Sequence, residues 1–213
     1  RAIPGLDVVR PADANETIVA WKTIMGRTSR PAALALSRQN VPVFPRTGEF
    51  ASADNVARGA YVLVDSPNAI HHATPDVVIV ATGSEVQIAL EARNLLAKEG
   101  LGARVVSMPC REWFEEQDAE YRDSVIPPVV RARVAVEAGI SLVWRDSVGD
   151  AGRIVSLEHF GASAPFAELY ERFGITAEAT AAAAHESILA AQHEGGVPAF
   201  ARPAGSVVPD ISH

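Results

Sequence analysis

Short apolar runs alternate with amphipathic stretches along most of the chain, which predicts alternating strands and helices. Val77–Ala81 is apolar throughout and Ala103–Met108 is largely so, as in strands of a parallel sheet that is covered on both faces. Between them, Val86–Glu99 places apolar residues at helical spacing, and Gly100 and Gly102 follow as helix terminators. This strand–helix–strand order predicts a right-handed crossover in an α/β fold.

The same alternation continues on both sides of this unit. Asp13 and Thr176 stand where they can cap helices. Ile18, Val19, Trp21 and Met25 give the helix after Asp13 an apolar face, which is the face expected to be buried. The further helices are predicted at Ala14–Met25, Trp113–Val125, Pro165–Phe173 and Ala177–His193. The further strands are predicted at Ala32–Leu36, Gly59–Val64, Arg133–Val136 and Ile154–Leu157.

Breaks in the pattern of apolar and polar residues predict the domain organisation. The stretch between Asp65 and Asp76 is polar and contains proline, which is typical of a linker. It divides the chain into a block 1–65 and a block 66–193. The segment 194–213 is rich in Gly and Pro and has no periodicity, so we expect a disordered tail.

Charge and composition argue against several classes of function. The formal net charge is −7 and no basic run is present, which argues against nucleic-acid binding. No apolar run reaches the about 18 residues that a membrane span needs. Cys110 is the single cysteine, so no internal disulfide forms and a cytoplasmic location is expected; we interpret Cys110 as a buried structural residue.

The strongest candidate for ligand binding is Ser37-Arg38-Gln39, which follows a predicted strand. Ligands of open α/β sheets bind at the carboxyl ends of the strands. The guanidinium group of Arg38 suits a phosphate or a carboxylate. The alternative is an ion pair on the surface or in a subunit interface.

A second candidate is the turn Thr82-Gly83-Ser84-Glu85, which opens a predicted helix. Such a turn can bind an anion at the helix N-terminus. The simpler interpretation is that Ser84 caps the helix and Glu85 interacts favourably with its dipole.

Other polar residues give weaker indications. Glu158 and His159, with Ser163 nearby, could perform acid–base chemistry or support a loop, and Glu137 could lie in a buried network. The histidines are grouped only in pairs, so a metal site lacks an evident third ligand. These pairs are His71 with His72 and His185 with His193. Trp113, Trp144 and Tyr170 are interpreted as core or interface residues.

Ordered short stretches make the chain similar to one enzyme family from Arg10 to about Ile188. Each stretch is weak alone, but their order is specific. They are Arg10-Pro11-Ala12-Asp13, Ala20-Trp21-Lys22, Leu36–Asn40, Asn55–Leu63, Ala81–Val86, Ala103–Pro109, Gln117–Arg122, Ala132–Gly139 and Phe160–Pro165. With these stretches the chain resembles the C-terminal portion of bacterial transketolases.

The resemblance implies a three-layer α/β/α C-terminal domain, preceded by the last part of a pyrimidine-binding (Pyr) domain in 1–65. It implies a transferase of the pentose phosphate pathway that moves a two-carbon ketol unit between sugar phosphates. The complete enzyme would use thiamin diphosphate with Mg²⁺ or Ca²⁺ and act as a homodimer. In the family, the arginine of the Ser-Arg-Gln motif binds the substrate phosphate, which here is Arg38, with Ser37 as a weaker neighbour.

The remaining site residues of the family have no counterpart in this sequence. We therefore expect the chain alone to be inactive, with no catalytic residue, no cofactor-binding residue and no metal ligand of its own. One alternative is a related thiamin enzyme, such as the β subunit of a 2-oxo acid dehydrogenase or a phosphoketolase. Another is a non-catalytic domain with a role in dimerisation, or one that binds a nucleotide or anion at Thr82–Glu85.

Overall fold

A computed structural model describes residues 1, 3–66 and 74–193, and it contains two sheets. The smaller sheet pairs β1 (Asp7–Val9) with β2 (Ala32–Leu34) in parallel, with Val9 opposite Leu34. Helix α1 (Ala14–Gly26) connects these two strands. The segment therefore forms a small βαβ unit, of which the sequence predicted α1 and β2 but not β1.

The larger sheet has five strands in the order β3-β5-β4-β6-β7. Neighbouring strands are parallel, except that β3 is antiparallel to β5. The strands are β3 (Tyr61–Val64), β4 (Val77–Ala81), β5 (Ala103–Ser107), β6 (Arg133–Val136) and β7 (Arg153–Val155). Strand β3, which the sequence analysis grouped with the first block, thus lies at the edge of the larger sheet. The predicted linker joins β3 to β4, and its residues 67–73 lie outside the described part of the chain.

Helices cover both faces of the larger sheet. The inward side chains of Val77 and Ile79 join the core beneath α2 and α7, whereas those of Val78 and Val80 join the core on the other face, with Trp144. The helices are α2 (Val86–Lys98), α3 (Arg111–Glu115), α4 (Ala119–Val125), α5 (Arg145–Val148), α6 (Phe166–Arg172) and α7 (Ala177–Gln192). The predicted three-layer α/β/α architecture is confirmed.

Side-chain capping explains where α1, α4 and α7 begin. Asp13 accepts a hydrogen bond from the Glu16 amide, and Thr176 accepts one from the Ala179 amide, as predicted. The prediction of one helix over Trp113–Val125 is wrong, because Asp118 caps a new helix by accepting from the Tyr121 amide. Across the described residues, no helix combines the length and the apolarity that crossing a membrane would require.

Helix α1 is oriented opposite to the prediction. Ile18, Trp21 and Met25 are 69%, 57% and 69% exposed, whereas Glu16 is fully buried. The carboxylate of Glu16 accepts hydrogen bonds from Tyr61 Oη and Ser107 Oγ, both at 2.7 Å. Burial raises the pKa of Glu16 although these donors oppose the shift. The helix therefore docks through Ala20, Val19 and Ile24 together with the hydrogen-bonded carboxylate of Glu16, and apolar spacing alone does not reveal the inward position of that carboxylate.

Candidate functional site

The carboxyl ends of strands from both sheets meet at one cleft with a volume of about 360 Å³. Segments that follow β1, β2, β4 and β6 form its walls, and α6 contributes one side chain. The lining residues are Arg10, Ala35, Leu36, Ser37, Arg38, Gln39, Gly83, Ser84, Glu137, Ala138 and Tyr170. This is the end of a parallel sheet at which ligands of α/β proteins bind.

The structure places Ser37 and Arg38 in the wall of this cleft, just after β2. Arg38 is exposed. In the described part of the chain, its guanidinium group makes neither a hydrogen bond nor an ion pair. It is thus the one charged residue in the cleft wall without a counter-ion there, and it can bind an anionic group.

Arg10, on the opposite side, is fully engaged by protein carboxylates. Its Nη1 donates to Glu137 Oε1 at 2.6 Å, and its Nη2 donates to Glu85 Oε2 at 2.9 Å. Both carboxylates are buried, and they follow β6 and β4 of the larger sheet. Arg10 therefore connects the small sheet to two loops of the larger one.

The turn Thr82–Glu85 binds both the backbone and the side chain of Arg10. The Gly83 amide donates to the Arg10 carbonyl at 3.0 Å. Gly83 has φ of +60°, which favours glycine, and a Cβ there would lie 3.0 Å from Arg10 Nη2, so any other residue would also press on the guanidinium group. The predicted Ser84 cap is wrong: the Ser84 hydroxyl donates to Glu85 Oε1 at 2.8 Å. With Glu85 in the turn, the local charge favours a cation and disfavours an anionic ligand.

Tyr170 and Trp144 complete the polar network around these carboxylates. Tyr170 Oη donates to Glu85 Oε1, and burial raises the pKa of Tyr170 to about 12, so this hydroxyl stays protonated. Trp144 Nε1 donates to Glu137 Oε2 at 2.7 Å. The sequence analysis treated Glu137 as a possible member of a buried network and both aromatics as core or interface residues, and these contacts agree with it.

The charge state of Glu137 depends on opposing effects. Burial disfavours its ionised form, but the guanidinium groups of Arg1 and Arg10 outweigh burial and hold its pKa below the usual range. A carboxyl whose pKa is lowered by folding stabilises the protein above its unfolded pKa. That contribution disappears as the pH falls through the folded value.

We therefore expect Glu137→Gln to lower the free energy of unfolding by about 2 kcal/mol at pH 7, since it removes charge-assisted hydrogen bonds. The difference from wild type should shrink as the pH falls below about 4.5, the region of the unfolded pKa. Urea titrations of both proteins between pH 7 and pH 3 would measure it, with exposed Glu120→Gln as the control. A difference that stays constant over this range would contradict the charged role of Glu137.

The other sequence candidates do not meet at the cleft. Glu158 accepts from the Ser141 amide at 2.7 Å and from Ser156 Oγ at 2.9 Å, so it supports two loops. His159 and Ser163 are exposed on the following loop, where His159 Nδ1 lies 2.7 Å from the Phe160 carbonyl oxygen. These contacts favour the interpretation in which Glu158 and His159 support a loop.

Cys110 and the histidines that the structure describes do not line the cleft. Cys110 is buried, and burial raises the pKa of its thiol, which is unfavourable for a nucleophile. His185 Nε2 contacts Glu99 Oε2 at 2.9 Å across α7 and α2. His71 and His72 lie outside the described residues. Within the described residues, no group of three His, Cys, Asp or Glu side chains is arranged to hold a metal ion.

Sequence reasoning missed Arg10 as a residue of the cleft. The available signal was its position: Arg10 directly follows the apolar pair Val8-Val9, and Arg38 comes shortly after the next apolar run. Because parallel neighbouring strands end at the same edge of a sheet, the sequence could have placed the two arginines near each other. It could not have placed Glu85 and Glu137 beside Arg10, since those residues lie 75 and 127 positions away.

Two family models match the chain. The model described as transketolase-like TK C-terminal domain covers residues 59–176, more than half of the chain, and the one described as transketolase, pyrimidine binding domain covers residues 1–43. The first match begins near β3, in keeping with the place of that strand in the larger sheet.

Curated relatives and solved structures agree with these models. A Mycobacterium tuberculosis transketolase is 56% identical over 190 residues, which are 88% of this chain and 27% of the relative. A chloroplastic transketolase of Craterostigma plantagineum is 46% identical over 188 residues, 88% of this chain and 35% of that protein. The chain thus spans about a quarter to a third of these relatives.

Solved transketolases share the fold. The structure from Leishmania mexicana superposes with a TM-score of 0.79 and 39% identity, covering 93% of this chain and 27% of that one. A Pichia stipitis transketolase in complex with sedoheptulose-7-phosphate superposes with a TM-score of 0.79 and 34% identity. The match covers 96% of this chain and 28% of that one. The chain therefore belongs to the transketolase family, of which it carries the C-terminal domain and the end of the pyrimidine-binding domain.

Proposed function

We propose that this chain supplies the sugar-phosphate anchor of a transketolase, with Arg38 as the residue that binds the substrate phosphate. The observation that carries the proposal is the exposed guanidinium group at the carboxyl end of β2, which has no counter-ion among the described residues. An unpaired guanidinium suits the bidentate binding of a phosphate. Ser37, beside it in the cleft wall, is the second candidate donor.

The complete enzyme in this proposal transfers a two-carbon ketol unit between sugar phosphates. The Pichia stipitis relatives were solved with sedoheptulose-7-phosphate, xylulose-5-phosphate and fructose-6-phosphate, and such sugar phosphates are the substrates proposed here. Thiamin diphosphate would supply the electron sink for breaking the carbon–carbon bond.

We propose that the cofactor is bound mainly by other parts of the complete enzyme. In the described ranges, no cluster of acidic or histidine side chains could hold Mg²⁺ or Ca²⁺. The diphosphate and its metal would therefore be bound by other parts of the enzyme. We propose that the isolated chain is inactive and has no catalytic residue of its own, and that the complete protein is a cytoplasmic homodimer, in which the C-terminal domain has a structural role.

The alternatives from the sequence have less support. The relatives found are transketolases, which disfavours a 2-oxo acid dehydrogenase β subunit or a phosphoketolase. A nucleotide or anion at Thr82–Glu85 would have to displace Arg10 and face the buried carboxylate of Glu85. The cleft beside Arg38 is therefore the better candidate site.

Substituting Arg38 tests the proposal in a complete transketolase that carries this segment. Arg38→Gln should raise KM for fructose-6-phosphate by about tenfold to 100-fold, the equivalent of losing charge-assisted hydrogen bonds. KM for unphosphorylated fructose should not change, because that sugar offers no phosphate. Steady-state kinetics with both sugars would measure the ratio, with Arg122→Gln, an exposed arginine on α4, as the control. Equal losses with both sugars would rule Arg38 out as the phosphate anchor.

A further inference from the structure

Arg10 is held to the larger sheet by both its backbone and its side chain. Its amide donates to the Pro109 carbonyl at 2.8 Å, and its carbonyl accepts from Gly83 at 3.0 Å. The side chain adds the two ion pairs to the buried carboxylates of Glu85 and Glu137. The position of this residue is therefore fixed relative to the loops after β4 and β6.

A short path of backbone contacts leads from Arg10 to Arg38. Val9, the residue before Arg10, lies opposite Leu34 in the sheet. The Val9 carbonyl accepts from the Ala35 amide at 2.9 Å. Ala35 begins the segment 35–39, which carries Arg38 and lines the same cleft as Arg10.

The segment 35–39 has little other support. Ala35 and Arg38 are exposed, and Leu36 is 60% exposed. Strand β2 has only three residues and no fully buried side chain. With so few buried contacts, the placement of this segment depends strongly on the anchored end of β1.

We propose that Arg10 is a positioning residue, which fixes the end of β1 and, through the β1–β2 pairing, holds Arg38 over the cleft. This inference rests on the proposed role of Arg38 in phosphate binding. A guanidinium fork is needed because it spans two carboxylates, Glu85 and Glu137, at once. The point charge of a lysine cannot reproduce both bonds in this geometry.

Arg10→Lys in a complete transketolase that carries this segment tests the inference. We expect KM for fructose-6-phosphate to rise about tenfold, because a small displacement of a binding group is costly. KM for fructose should rise much less than KM for fructose-6-phosphate, because the displaced group is the one proposed to bind the phosphate. Arg27→Lys is the matched control, since Arg27 also joins the first segment to the larger domain, through Glu116 at 2.8 Å, but does not line the cleft.

A second variant and a second readout keep the outcome decisive. Glu85→Gln removes the negative charge that pairs with Arg10 without touching an arginine, and it decides between the outcomes if Arg10→Lys does not fold. Hydrogen exchange of the amides in 35–39 should be faster in Arg10→Lys and Glu85→Gln than in wild type and Arg27→Lys.

The two proposals fail separately. If Arg38→Gln impairs fructose-6-phosphate selectively while Arg10→Lys and Glu85→Gln leave its KM at the wild-type value, the positioning role of Arg10 is overturned. Equal KM increases for fructose-6-phosphate and fructose in these variants would also overturn it. If exchange in 35–39 quickens as expected but Arg38→Gln has no selective effect, then Arg10 positions the segment and the phosphate role of Arg38 is what fails.

Discussion

Gly59→Ala is expected to destabilise the chain by about 4 kcal/mol or more, the range reached when steric conflict in a core cannot relax. Gly59 has φ of +86°, and a Cβ there would lie 2.2 Å from the Phe114 amide nitrogen and 2.4 Å from the Cys110 carbonyl oxygen. Both atoms belong to backbone, so neither can move aside cheaply. The Gly59 carbonyl also accepts from the Cys110 amide at 3.0 Å, so a shift of this turn would break a bond between the segment before β3 and the N-cap of α3.

Gly100→Ala is the matched control for this substitution. Gly100 has a similar φ of +83°, but nothing lies within 4 Å of the position that its Cβ would take. Its expected cost is the left-handed conformation alone, about 1 kcal/mol. Urea denaturation of both variants of the 213-residue chain would compare them. Similar losses for the two would show that the close approach of α3 to Gly59 is not a feature of the folded protein.

Trp113→Ala is expected to lower the free energy of unfolding by about 4 kcal/mol, as for other large buried aromatics that are truncated. Trp113 is fully buried, and its Nε1 donates to Asp7 Oδ2 at 2.7 Å. Asp7 lies in β1 and is itself buried. The substitution therefore creates a cavity and also removes a donor from a buried carboxylate.

Trp21→Ala provides the comparison, because Trp21 is 57% exposed on α1. An exposed truncation should change stability by at most about 0.5 kcal/mol. Guanidinium denaturation followed by circular dichroism would measure both variants without relying on tryptophan fluorescence. If Trp21→Ala were as costly as Trp113→Ala, the orientation of α1 described here would be wrong.

Apolar runs and helix-capping residues were enough to predict many of the strands and helices. Val77–Ala81 is apolar at every position and forms a strand with those bounds. Asp13 and Thr176 cap helices because their oxygens accept from the first turn. These features depend on neighbours along the chain, so the sequence alone specifies them.

Features that depend on distant partners were not predictable in the same way. The inward face of α1 is set by Glu16, whose partners Tyr61 and Ser107 lie 45 and 91 positions away. The break before α4 has a local signal in Asp118, an N-cap residue type that interrupts the apolar spacing of Trp113–Val125. The sequence placed Arg38 after a strand, and it lies in the segment that follows β2. That Thr82–Glu85 binds Arg10 could be seen only in the tertiary structure.

A crystal structure of a complete transketolase carrying this segment, in complex with fructose-6-phosphate, would test the phosphate-binding role of Arg38 directly. We expect phosphate oxygens within about 3 Å of the Arg38 guanidinium, with Arg10 still paired to Glu85 and Glu137. A phosphate bound elsewhere, with Arg38 turned to solvent or paired to a protein carboxylate, would contradict it.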